Sequence, residues 1–107
     1  MNKQVVIIHT TSDRQEILEQ IAEQLINKSL AACVTIIPSV HSIYRWNNQI
    51  EKSTEHILEI KSRLSAIKEV ETIIHELHNF SCPQFIVTPV HSMSDDYSNW
   101  FWDVTNG

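Results

Sequence analysis

The sequence predicts an α+β fold with strands and helices in the order βαββαβ, followed by one more helix. Three features predict it. Val5-Val6-Ile7-Ile8 is an unbroken run of β-branched residues, the mark of a central strand covered on both faces. The stretch from Leu30 to Lys61 reads as strands joined by a polar tip at Asn47-Asn48, which makes one long antiparallel ribbon. Two segments with apolar residues at helical spacing stand on either side of that ribbon.

After the first strand, Thr11-Ser12-Asp13 offers helix caps, and Ser12 with Gln15 has the spacing of a capping box. Ile17, Leu18, Ile21, Ala22 and Leu25 then form an apolar stripe, with Glu16, Glu19, Glu23 and Lys28 on the wet face. The helix is expected to end near Asn27-Lys28, where Asn tolerates a left-handed cap. Residues 30–37 read as the second strand and 40–46 as the third, parted by Pro38. Asn47-Asn48 suits a two-residue hairpin, because Asn accepts positive φ better than most residues. The next strand starts polar at Glu51 to Glu55 and turns apolar at Ile57, Leu58 and Ile60. A second helix is expected over 64–77, burying Leu64, Ile67, Val70, Ile74 and Leu77. Asn79-Phe80-Ser81-Cys82-Pro83 stops it. Phe85-Ile86-Val87 reads as a short strand. Ser94-Asp95-Asp96 opens a third helix with carboxylates at its positive end and Tyr97, Trp100, Phe101 and Val104 on its apolar face.

The βαββαβ order is the ferredoxin-like arrangement, here with an extended β-hairpin and an extra C-terminal helix. Residues 1–107 are read as a single domain. The outer hairpin carries Tyr44, Trp46 and Ile50, too apolar for a free tip, so it is expected to pack on another subunit of a closed ring.

Composition excludes several function classes. A formal charge of −5 argues against nucleic acid, which needs a basic face. Glycine occurs once, which excludes the glycine-rich phosphate loops of most nucleotide-dependent enzymes. No apolar run is long enough to span a bilayer. The start of the chain lacks the cleavage pattern of a signal peptide, so a cytoplasmic location is expected. The two cysteines make neither a disulfide framework nor a C-x-x-C pair. No Ser/His/Asp or Cys/His/Asn set can be assembled, and the chain is read as a binding protein and not an enzyme.

In a ferredoxin-like sheet the first and last strands are antiparallel neighbours. The end of the first then lies near the start of the last, which brings His9 and His78 to one edge. Imidazole suits copper, zinc and nickel. Two ligands are too few for a closed site, and His75, one helical turn before His78, or Cys82 after it could complete the set. The plainer alternative has His78 capping the helix and His9 as a strand-end polar residue. Cys33 alternates along a strand with Thr35 and Ile37 and reads as a small core hydrophobe. Lys61, Arg45 and Arg63 could form an anion patch between subunits, or simply pair with Glu51, Glu55 and Glu59 across the ribbon. Tyr44, Trp46, Tyr97, Trp100 and Trp102 read as core and subunit packing.

Leu30-Ala31-Ala32-Cys33-Val34, Ile36-Ile37-Pro38, Ser42-Ile43-Tyr44-Arg45-Trp46, Ile60-Lys61, His78 with Pro83, and Asp96-Tyr97 with Trp100 together carry a resemblance. By these residues the chain resembles the CutA divalent-cation-tolerance family along almost its whole length. The resemblance implies a homotrimer similar in architecture to the PII signalling proteins. It also implies binding of copper or another divalent metal, and a part in metal tolerance or response. A second reading is a PII-like signalling or scaffold trimer that binds a small anion or a protein in a cleft between subunits, with Lys61, Arg45 and Gln84 on its walls. The chain departs from the family pattern at Ser39, usually Gly, and at His78-Asn79-Phe80 with Pro83-Gln84, usually His-Pro-Tyr with Pro-Glu. Some members have Cys in place of His9, and a doubled His in place of Leu77-His78.

Overall fold

The computed structural model describes residues 3–106. The start of the chain at Met1-Asn2, read above as free of a leader, lies outside them, as does Gly107. The elements are β1 (Val5–Ser12), α1 (Gln15–Asn27), β2 (Ala31–Trp46), β3 (Gln49–Arg63), a 3₁₀ turn (Leu64–Ala66), α2 (Ile67–Leu77), β4 (Ile86–Pro89) and α3 (Asp95–Val104). The four strands form one antiparallel sheet in the order β2-β3-β1-β4, the order the ferredoxin-like arrangement requires. The expected fold class is the observed one.

Side chains alternate across a strand, so each strand divides its residues between two faces. Val6 and Ile8 of β1 and Leu58 and Ile60 of β3 face α1 and α2, which bring Leu18, Ile21, Leu25, Val70, Ile73 and Ile74 against them. Each such side chain stabilises the fold by about 1.5–3 kcal/mol on burial. A smaller cluster of Val5, Ala32 and Phe101 holds α3 on the opposite face, at one end of the sheet. Arg63 Nε donates to the Thr105 carbonyl and ties the end of α3 to β3.

Five local expectations change. Ser12 belongs to β1, because β3 is long enough to pair with it through His56; its hydroxyl accepts the Arg14 N–H (3.0 Å), and α1 starts at Gln15 with no side-chain cap. The left-handed residue after α1 is Ser29 (φ 57°) and not Asn27. The strands expected over 30–37 and 40–46 are one strand, β2, in which Pro38-Ser39 makes a bulge between Ile37 and Val40. An edge strand absorbs a proline in this way because no ladder hydrogen bond is lost on its open side. Leu64 sits in the 3₁₀ turn, 40% exposed, and Ile73 takes a core place instead. The last strand begins at Ile86. The hairpin forms as expected, with φ of 51° at Asn47 and 63° at Asn48, as a type I′ turn needs.

Ser39 holds φ at 60°, a conformation that costs a residue with a Cβ about 1–2 kcal/mol. Ser39→Gly is expected to raise the urea midpoint by about 0.5–1 kcal/mol of stability, and Ser39→Val to lower it. Equal midpoints for the two variants would show that the bulge carries no strain.

Candidate functional site

The face of the sheet opposite α1 and α2 is covered by α3 at one end and is otherwise uncovered within the protomer. Its middle carries a polar network. His9 on β1 lies directly across from Glu59 on β3, and their Nε2 and Oε2 are 3.2 Å apart. A carboxylate only accepts, so His9 donates through Nε2–H. Lys61, two residues along β3 and so on the same face, donates to the other oxygen of Glu59 (3.3 Å). It also donates to Thr35 Oγ1 (3.4 Å), which lies 3.9 Å from Cys33 Sγ. Ile7, Ile37, Ile57 and Ile86 share this face by register, so the charged group stands in an apolar surround. The hydrogen bond from His9, and then Lys61, hold the Glu59 carboxyl below its usual range, against the burial that would raise it.

His78 comes close to the same end of β1, as the strand order predicts, but it is fully engaged there. Its Nε2–H donates to the Thr11 carbonyl (2.8 Å), and its Nδ1 accepts the Phe80 N–H (2.9 Å). With both nitrogens used, no lone pair is free for a metal. In this geometry His78 is a tie between β1 and the loop after α2, close to the plainer alternative raised above. Burial pushes its imidazole below the ordinary value, His75 adds to that, and the Thr11 bond opposes it. The neighbouring Asn79 completes the tie: Ser12 Oγ donates to its Oδ1 (2.7 Å), and its Nδ2 donates to Asp13 (2.9 Å).

The remaining expected ligands are dispersed. His75 is on the exposed side of α2, and Cys82 is exposed in the 79–84 loop. Among the described residues no three His, Cys, Asp or Glu side chains lie where they could hold one metal ion. The residues expected to share a cleft are not together in one protomer either. Lys61 is opposite Cys33, whereas Arg45 is opposite Ile50 near the hairpin tip. At ~3.3 Å per strand residue that separation is roughly 40 Å. Gln84 lines a different cleft, of about 730 Å³, between the outer hairpin and the 79–84 loop. Tyr44, Trp46, Phe80 and Cys82 also line it, together with Glu55, which is only 5% exposed. Sequence reading treated Glu55 and Glu59 as surface partners. The signal that could have raised them is the spacing Glu55, Glu59, Lys61, all odd positions on one strand face.

The family model of the CutA1 divalent ion tolerance protein matches residues 5–104. The chain belongs to this family. It is 30% identical over 103 residues to the divalent-cation tolerance protein CutA of Thermus thermophilus, covering 96% of this chain and 98% of that one. It is 32% identical over 95 residues to that of Pectobacterium atrosepticum, covering 89% and 86%. The crystal structure of CutA1 from Shewanella sp. SIB1 superposes with a TM-score of 0.92 at 32% identity over 100% of both chains. The chain spans about half the length of the Arabidopsis thaliana (55%) and mouse (54%) CutA proteins that it also matches. Among the described residues no helix is long and apolar enough to cross a membrane.

Two pH effects follow. His78 titrates below its unfolded value of about 6.5, so the folded state binds fewer protons there. Its contribution is complete above that value and is lost as pH falls below it towards the lowered folded pKa. Urea stability is expected to fall between pH 7 and 5, with part of that slope absent in His78→Gln; an unchanged slope would refute the assignment. Glu59 is lowered too, so its contribution is present above the ordinary carboxyl range and lost on further acidification. In His9→Ala the Glu59 carboxyl should titrate nearer its ordinary value by carbon NMR.

Proposed function

We propose that the chain is a homotrimer that binds divalent metal, copper first, in tolerance of or response to metal ions. The observation that carries this reading is the His9–Glu59 pair, an imidazole nitrogen and a carboxylate oxygen 3.2 Å apart on an uncovered sheet face. Nitrogen and oxygen donors of this kind suit Cu(II). A metal ion would take the place of the proton between them, with Lys61 still on the second oxygen. One protomer supplies two donors, fewer than a closed site needs. The rest come from other copies that meet on this face, or from water. His75, on the exposed side of the helix that covers the opposite sheet face, and Cys82, in the 79–84 loop, stand apart from the pair, and His78 serves by fixing the end of β1.

The trimer is supported by what the protomer leaves exposed. Ile43 (67%), Ile50 (65%) and Trp46 (51%) crowd the hairpin, and Ile86 (51%) lies beside the His9 pair. A 16-residue edge strand with such side chains is an association surface. A cytoplasmic location is kept as part of the proposal; relatives bear both "chloroplastic" and "periplasmic" in their names.

The test is a calorimetric Cu(II) titration of metal-stripped protein against glycine as a weak competing chelator, at known oligomeric state. Saturation at an integral count per trimer is expected. His9→Ala should weaken binding at least tenfold, about 1.4 kcal/mol. Affinity should rise with pH, because metal and proton compete for Nε2. An unchanged affinity in His9→Ala removes the pair from the site.

A further inference from the structure

We infer that the end of β1 is a pH-operated hinge: the neutral rings of His56 and His78 hold the outer hairpin and residues 80–84 to the sheet, and protonating those rings lets both segments swing while the sheet stays folded. None of His9, Glu59 and Lys61 takes part, so this hinge stands apart from the metal reading.

β1 ends at Ser12, directly opposite His56. Beyond that point β2 and β3 continue alone as a ribbon, Val40–Trp46 against Gln49–Glu55. A ribbon of two strands is marginal by itself, so its direction depends on what fixes its base. The base is the Pro38-Ser39 bulge. Pro38 has no N–H, and the N–H of Ser39, which the ladder leaves out, donates to His56 Nδ1 (3.1 Å). The loop is held at the same strand end. His78 donates to the Thr11 carbonyl through Nε2–H, and its Nδ1 accepts the Phe80 N–H. Two rings thus do the same thing at one place: each uses Nδ1 to hold a backbone N–H, one at the root of the hairpin and one at the root of the loop.

Only a neutral imidazole has an acceptor nitrogen. Once the ring is protonated, Nδ1 carries a hydrogen aimed at another N–H, and an attraction becomes a clash of two donors. Both ties therefore fail in the same direction, on acidification. The bond from His78 to Thr11 survives, since Nε2–H is a donor in either state, so His78 stays on β1 while Phe80 is released. Asn79 keeps its bonds to Ser12 and Asp13 and becomes the pivot of the loop. The charges around the rings set how readily this happens. Asp13, from the turn after β1, and Glu55, from β3, favour a charged His78, whereas burial, and then His75 on its own helix, oppose it. Glu16 at the start of α1 is within electrostatic reach of His56, but its carboxylate is engaged by Arg14 (2.7 Å). Among the described residues neither ring forms an ion pair, so no charged partner replaces the lost hydrogen bond.

The test is NMR of the full chain, metal-stripped and in its native assembly, at pH 7 and pH 5. After correction for the intrinsic pH dependence of exchange, the Ser39 and Phe80 amides are expected to lose about tenfold in protection at pH 5, with those of Ile8 and Ile60 unchanged. Nitrogen relaxation dispersion over residues 40–46, flat at pH 7, should appear at pH 5 as the ribbon moves as a unit. His56→Asn separates a switch from a merely structural tie: its Oδ1 can accept the Ser39 N–H in place of Nδ1 and does not titrate. Protection of Ser39 should then be retained at pH 7 and become independent of pH, and His78→Asn should do the same for Phe80. Unchanged protection in the unaltered chain, a pH dependence that persists in the Asn variants, protection lost at Ser39 and Phe80 without dispersion in the ribbon, or equal loss at Ile8 and Ile60 each overturns the inference. If a variant does not fold, ring nitrogen shifts of the unaltered chain decide: the midpoints of Ser39 and Phe80 exchange must coincide with the titrations of His56 and His78, and a mismatch overturns the hinge.

Discussion

The register of β3 against its two neighbours is the constraint on which the rest of this structure depends. Side chains alternate with a period of two, so a slip of one residue would exchange the faces. Leu58, Ile60 and Ser62 would move into the open, and Glu59 and Lys61 would go under the helices, where unpaired charge is costly. Two bulges in β2 take up its extra residues without disturbing this order. One admits Ala32 at the start of the strand, and the other admits Pro38 and Ser39. Each preserves the alternation beyond it, so Cys33 and Thr35 stay on the face of Lys61 and Glu59, and Val34 and Ile36 on the face of Ile60 and Leu58.

The two faces then have different tasks. The face under α1 and α2 is closed by aliphatic packing and supplies most of the stability that one protomer can gain. The other face is covered at one end by α3 and Phe101. Its middle mixes isoleucines with a chain of charged and polar groups from His9 to Cys33. A surface of this composition does not stabilise an isolated protomer, and it suits contact with further copies and with ions. The hairpin continues past the end of β1, and there the 79–84 loop folds over it to enclose Glu55. The polar centre and the cleft are therefore products of the same two strands, one where a third strand covers their edge and the other where a loop takes its place.

The histidines show how far a donor's role is set by its partners. His9 directs one nitrogen at a carboxylate on an accessible face, which is why the metal proposal rests on it. His78 uses both nitrogens on backbone groups of two different segments and acts as a clamp. Chemically identical side chains at neighbouring points of the fold thus differ in whether a ring nitrogen faces an open surface or is held by backbone groups.

The element order, the hairpin turn and the core stripes were legible from the sequence, because each depends on local chemistry. Asn at two positive-φ positions, β-branched residues in Val5–Ile8 and apolar residues at helical spacing state their preferences within a few residues. The nearness of His9 and His78 was legible too, since strand order alone gives it. What only the tertiary structure decided are matters of cross-strand register and of loop path. Ser12 and Leu64 moved out of their expected roles because β3 and the 3₁₀ turn claimed them. Pro38 did not end a strand, because the edge position of β2 tolerates the lost donor. Glu55 gives no sign of burial in a polar run of residues; a loop from beyond α2, distant in sequence, covers it. Pairings between distant segments determine which side chains share a site, and sequence periodicity, which is local, carries no record of them.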